Sequence, residues 1–143
     1  MARLSLTRRV HFSAAHRYRR PEWDDAQNLA TFGKCARPNF HGHTYLCEVT
    51  VTGPLDETTG FVADLGLLDR LLAQEVVERL DHANLNLDIE EFAEGRRIPS
   101  SEELARWIAD RVNAGLAATA TRVRRVSVAE EPNLWATWDE DDA

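Results

Sequence analysis

Thr31-Phe32-Gly33-Lys34-Cys35-Ala36-Arg37-Pro38-Asn39-Phe40-His41-Gly42-His43-Thr44 is the stretch on which the reading of this 143-residue chain turns. His41 and His43 stand two apart, so on an extended strand both imidazoles face the same side. Working outward, the alternation continues: His41, His43, Tyr45, Cys47, Val49 and Val51 form the inner face of a strand running to Thr52. Upstream, Leu4, Leu6, Val10, Phe12, Ala14 and His16 share one parity, with Arg8 the interruption. That pattern is a second half-buried strand, and it ends by delivering His16 on its apolar face. Three neutral imidazoles without a fourth protein ligand are the pattern of a zinc site with an open position. Cys35 lies close by in a polar loop. Its neighbours Lys34 and Arg37 are cations of the kind that favour thiolate. Cys47 shares a face with His43 but lies roughly 13 Å along the strand, which makes it core filler.

Composition sets the frame for that site. The hydrophobic fraction is 43% and the charged fraction 29%, ordinary for one globular domain spanning 1–143 with an acidic tail at 139–143. A net charge of −7 argues against non-specific nucleic-acid binding. No apolar run approaches about 18 residues, so no membrane span is expected. Met1 to Val10 lacks the apolar core of a signal peptide, and two cysteines do not make a disulfide scaffold; both point to the cytoplasm.

Downstream of the second strand, Gly53 to Gly60 is dense in turn residues. Asp64 is placed to cap a helix whose stripe is Leu65, Leu68, Leu72, Val76 and Leu80. Asp81-His82 ends it, either as a plain helix terminus or as a carboxylate tuning an imidazole for proton transfer. Ser100 and Glu103 stand at capping-box spacing before a second stripe of Leu104, Ile108, Val112 and Leu116. Val126, Val128 and Glu130 share a face of a third strand, and Pro132-Asn133 turns into a fourth. Glu130 points where apolar side chains point, so it needs a partner; a ligand offering two adjacent N–H groups would serve. Residues 17–40 form a long polar connection of the sort that is functional or disordered. The order ββααββ predicts an α+β fold: an antiparallel four-stranded sheet with two helices on one face.

Taken in order, Phe12-Ser13-Ala14-Ala15-His16, Phe32-Gly33-Lys34-Cys35, Pro38-Asn39, His41-Gly42-His43, Leu80-Asp81-His82-Ala83-Asn84-Leu85, Ser100-Ser101-Glu102 and Glu130 resemble one known family. These are the 6-pyruvoyl-tetrahydropterin synthases and their relatives, the 6-carboxy-tetrahydropterin synthases. The similarity runs from about Arg9 to Trp138. It implies the tunnelling fold, with subunits joined edge to edge into a trimeric barrel and two trimers stacked into a homohexamer. It implies zinc held by His16, His41 and His43. Cys35 would be the catalytic base, and Asp81 and His82 a proton relay from a neighbouring subunit. Glu130 would anchor the pterin, with Ser101 and Glu102 as further pocket residues.

The implied substrate is 7,8-dihydroneopterin triphosphate, converted with loss of triphosphate and without a redox cofactor. Five residues separate Cys35 from His41, the spacing of the pyruvoyl-forming enzymes; the carboxy-forming enzymes of the 7-deazaguanine (queuosine) pathway usually have three. Phe40 stands where the family commonly has glycine, and the junction around Asp64 looks more like the carboxy-forming group, which remains the alternative. The alternative of another class is a non-catalytic pterin-binding module, which would have no use for Cys35, Asp81 and His82.

Overall fold

The computed structural model describes residues 2–141; Met1 and the end of the acidic tail, Asp142 and Ala143, lie outside the described residues. The chain runs β1 (Ser5–His16), α1 (Asp25–Phe32), β2 (His41–Thr52), α2 (Leu65–Leu71), α3 (Glu78–Leu80), β3 (Ala83–Asn84), α4 (Leu85–Asp88), α5 (Ser101–Leu116), β4 (Arg122–Glu131) and β5 (Leu134–Asp139).

Alternation builds the sheet. β1 and β2 pair antiparallel along their whole length, from Ser5 opposite Thr52 to His16 opposite His41. β2 pairs antiparallel with β4, and β4 with β5. The inner face carries Phe12, Tyr45, Cys47, Val49, Val51, Val123, Val126 and Val128, all buried. The rings of Phe12 and Tyr45 stack across the strand pair with centroids 4.8 Å apart. One element departs from the expected four strands. β3 lies parallel to β1 against Ala14 and Ala15, so the sheet is mixed and five-stranded, in the order β3-β1-β2-β4-β5. Two residues carry no alternation to read. The sheet does not close on itself within one chain.

The helices cover the inner face. Asp64 caps α2 by accepting the Leu67 N–H at 3.1 Å. α2 passes through a π-helical turn (Leu72–Val77) into α3, and Leu68, Leu72, Val76 and Leu80 are buried throughout, while Leu65 at the first position is exposed. Ser100 caps α5 by accepting the Glu103 N–H at 3.2 Å. Only half of the capping box forms, because the Glu103 carboxylate turns to Arg106. Gly115 lets α5 approach α2, since a β-carbon there would run into Leu71.

The connection from 17 to 40 is built rather than loose. Asp24 caps α1, and a 3-10 turn (Gly33–Ala36) follows it. Its pin is Asn28, 1% exposed. The Asn28 side chain accepts the Arg20 N–H at 2.8 Å and donates to the carbonyls of Arg20, Trp23 and Asp24 at 3.0, 3.3 and 3.0 Å. Asn28→Ala would leave these groups without a partner. The expected loss is about 1–3 kcal/mol of stability in urea denaturation; a loss within experimental error would show that the pin carries no weight.

Candidate metal centre

The strand pairing sets His16 directly across from His41, and His43 two residues on along the same face. The three rings meet edge to face, with centroids 4.6 Å (His16–His41), 5.2 Å (His16–His43) and 5.1 Å (His41–His43) apart. One ligand nitrogen from each lies within 4.8 Å of the others. The Nδ1 of His16 is 2.8 Å from the Pro99 carbonyl oxygen. A carbonyl only accepts, so Nδ1 carries the proton and Nε2 keeps its lone pair. That Nε2 is buried and has no hydrogen-bond partner, and neither ring nitrogen of His41 has one.

Burial pushes the pKa of His16 down to about 4, with His41 and His43 adding to it and the Pro99 bond opposing. Burial also lowers His41, then His43 does, against Glu130. Neutral imidazole is the form that ligates metal. Orphaned lone pairs on converging neutral rings are a donor set that fits a cation such as zinc.

Three further groups share this side of the sheet. Cys35 sits in the 3-10 turn, half-buried, its carbonyl accepting the Tyr18 N–H at 2.8 Å. Its thiol pKa is raised, by burial first and then by Glu130. The sequence suggested the opposite, from Lys34 and Arg37. Both of those side chains are exposed to water, which screens them, and the carboxylate is the charge that acts on the thiol. Glu130, near the end of β4, keeps Oε2 buried and without a partner.

Tyr18 joins these groups. Its ring meets His16 edge-on at 4.9 Å, and the Glu130 carboxylate lies near enough to act on its hydroxyl. Burial and then Glu130 raise its pKa far above the ordinary range, with smaller contributions from Cys35 and Glu102. Ser101 is buried in the first turn of α5, and Glu102 beside it is exposed. Cys47 is fully buried in the core, its thiol pushed up to about 12 by burial.

Asp81 and His82 lie elsewhere in the chain. Asp81 accepts the Ser13 N–H at 2.8 Å and faces His82 Nδ1 at 3.0 Å. The Ser13 bond, then His82, holds the Asp81 carboxyl below its ordinary pKa. His82 borders a shallow cleft with Ala15, Gly42 and Thr44, and His43 lines it too. Cys35 is not among the residues that line this cleft.

Sequence reasoning missed Tyr18, although it continues the parity of His16 by one step. It also missed the role of Pro99, whose carbonyl carries no side-chain signature. Phe40 has φ of 63°, in the left-handed region. That is the physical reason glycine suits this position.

An open, helix-backed sheet with three converging imidazoles, a thiol and a carboxylate on one side defines a candidate mononuclear metal centre. The family model for 6-pyruvoyl tetrahydropterin synthase matches residues 5–141, and the chain belongs to that family. It is 45% identical over 112 residues to a 6-pyruvoyl tetrahydrobiopterin synthase of Drosophila melanogaster, covering 78% of this chain and 65% of that protein, under two thirds of its length. A putative 6-carboxy-5,6,7,8-tetrahydropterin synthase of Archaeoglobus fulgidus is 35% identical over 125 residues, covering 87% and 86%. The solved structure of Caenorhabditis elegans 6-pyruvoyl tetrahydropterin synthase superposes with a TM-score of 0.88 at 32% identity, covering 99% of this chain and 98% of that one.

Two outcomes test the centre. The purified protein should carry about one zinc per subunit, and His41→Ala should lose it while the far-UV circular dichroism persists. Retention of a full equivalent in that variant would overturn the ligand set. The second concerns pH. The folded pKa of His16 is about 4 against an ordinary 6.5. Between these values the unfolded chain holds a proton that the folded ring refuses. Metal-free protein should therefore lose stability as pH falls from about 6.5 to about 4, with no contribution from this group above that window. Urea midpoints of His16→Gln should show a shallower slope over the same interval.

Proposed function

We propose that this chain is a zinc-dependent carbon–oxygen lyase, a 6-pyruvoyl-tetrahydropterin synthase. It would convert 7,8-dihydroneopterin triphosphate to 6-pyruvoyl-tetrahydropterin with elimination of triphosphate. The observation that supports it most is the gathering of His16, His41, His43, Cys35 and Glu130 on one side of the sheet, in a chain of this family. Zinc held by the three histidines would supply Lewis acidity toward the substrate's side-chain hydroxyls.

The chain's own residues account for the rest. Glu130 offers its unpartnered Oε2 toward the 2-amino group and ring N–H of a pterin, a pair of donors in a fork. Tyr18 lies beside the same carboxylate, whose lone pairs leave room for a ligand's donors. When the donor fork engages Glu130, the lesser of the two causes that raise the Cys35 thiol is offset, burial being the larger, and Cys35 would serve as the base that takes a proton from carbon. Ser101 and Glu102, at the start of α5, would be further pocket residues, Glu102 near enough to act on Tyr18.

The relay of Asp81 and His82 would come from a neighbouring subunit. β3 pairs with β1 only at Ala14 and Ala15, and β5 presents Leu134 and Trp135, 50% and 61% exposed. Two open edges of this kind call for cover. Joining them between copies gives the trimeric barrel, and stacking gives the homohexamer. The two free thiols suit the cytoplasm, and no described helix is long and apolar enough to cross a membrane.

The 6-carboxy-tetrahydropterin synthase reading is supported by the Archaeoglobus relative. The spacing from Cys35 to His41 favours the pyruvoyl product. A pterin-binding module without catalysis leaves the half-buried Cys35 beside Glu130 without a task. Incubation with dihydroneopterin triphosphate and mass spectrometry of the products separates these outcomes: pyruvoyl product with triphosphate, carboxy product, or none. Cys35→Ala should abolish elimination with zinc content unchanged. A parallel fall in zinc would make Cys35 a ligand and overturn its role as base.

A further inference from the structure

A small cavity is lined by the residues that flank two of the histidines in the chain. It has a volume of about 110 Å³ and lies between the segment after β1 and the loop before α5. Arg17, directly after His16, and Phe40, directly before His41, both line it, as do Arg19, Arg96 and Asn86. The Arg17 guanidinium lies over the Phe40 ring, 5.7 Å from its centroid. In a chain of net charge −7, four arginines around one cavity are a local reversal of sign.

The arginines are held ready. Asn86 accepts the Arg17 N–H at 2.8 Å and donates back to the Arg17 carbonyl at 3.1 Å. Asn28 clamps Arg20 in the same two-way fashion at 2.8 and 3.0 Å. The segment carrying Arg17, Arg19 and Arg20 is thus fixed at both ends by buried or half-buried amides. Arg20 in turn donates to the Arg96 carbonyl at 2.9 Å, tying the two walls together.

The counter-charge is thin. Arg17 and Arg19, 17% and 25% exposed, both reach one carboxylate oxygen of Glu94 at 3.4 Å, and Glu94 itself is 54% exposed. Charge-assisted pairs normally close to about 2.7–2.9 Å. The contacts to Glu94 are long and solvated, the kind that a stronger anion displaces. Arg19 also meets Asp25 at 2.9 Å and Arg96 meets Glu90 at 3.2 Å, and both carboxylates are almost fully exposed, so water screens these pairs.

We propose that Arg17, Arg19 and Arg96 form a subsite for the polyphosphate arm of the substrate, with Glu94 as the internal counter-ion that the arm displaces. The proposal rests on the reading of the substrate as a pterin triphosphate. It assigns the arginine-bearing loop, and not the histidines, the work of holding the leaving group. Phosphate oxygens match the planar fork of arginine, and several arginines match several phosphates.

The test uses zinc-loaded protein, with inorganic tripolyphosphate titrated by calorimetry and zinc measured afterward. The double variant Arg19→Ala/Arg96→Ala should weaken tripolyphosphate binding by about tenfold or more. Glu94→Gln should tighten it by about two- to fivefold. Affinity for a pterin without phosphates and zinc content should stay unchanged in both, which also shows that the variants fold. With dihydroneopterin triphosphate, the double variant should raise KM and leave the product unchanged. Absent binding of tripolyphosphate by the parent, weaker binding in Glu94→Gln, or turnover with a KM unmoved in the double variant would each overturn the subsite. Arginine-dependent tripolyphosphate binding without turnover would uphold the subsite and overturn the activity reading instead.

Discussion

The register between β1 and β2 is the constraint on which the rest of the molecule depends. It places His16 opposite His41 and Ala14 opposite His43. A strand has a side-chain period of two, so a slip by one residue would throw an imidazole-bearing face out of the core and leave the donor set apart. The same slip would separate Phe12 from Tyr45 and expose Val49 and Val51, which are fully buried. Core and site are therefore enforced by one arrangement. The apolar side chains supply the energy that holds the register, and the histidines use the resulting geometry.

That economy carries an electrostatic consequence. Imidazoles delivered on an apolar face are desolvated, and desolvation keeps them neutral. Neutrality is what a metal requires of them. The same burial raises the thiol of Cys35, with Glu130 adding to it. One environment thus disfavours protonated imidazole at His16 and His41 and disfavours thiolate at Cys35. Tyr18, set among His16, Glu130 and Cys35, is the residue through which these effects meet.

What was legible in the sequence followed from periodicity and local chemistry. The two long strands, the caps at Asp64 and Ser100 and the buried stripe on α5 are readable because each depends on residues a few positions apart. β2 begins at His41 and ends at Thr52, as the alternation predicts. β3 was not legible, since two residues have no period and its pairing is decided by α3 ending beside Ser13. α1 was hidden in a stretch of weak patterning, where Asn28 works by bonding to carbonyls rather than by apolar contact. The histidine cluster was readable from parity, whereas the Pro99 carbonyl that orients His16 was not: the two stand 83 residues apart. Placement of Lys34 and Arg37 beside Cys35 in sequence said nothing about which charge would face the thiol in space.

Backbone strain marks the two ends of the same region. Phe40 and His82 are the non-glycine residues with positive φ among the described residues, both at 63°. Such conformations cost of order 1–3 kcal/mol each and persist only where the surroundings over-determine them. Phe40 immediately precedes the first histidine of β2, and His82 immediately precedes β3. At Phe40 the bend turns the chain from the Cys35 turn into register with β1, and the ring it carries lies beneath the Arg17 guanidinium. At His82 the bend lets Asp81 take the Ser13 N–H while the His82 N–H meets the Ser13 carbonyl at 2.5 Å. Each strained residue thus joins an incoming segment to the last rungs of the β1 ladder. The long ladder behind them is what makes the strain sustainable, because the apolar packing of β1 and β2 far outweighs two unfavourable dihedrals.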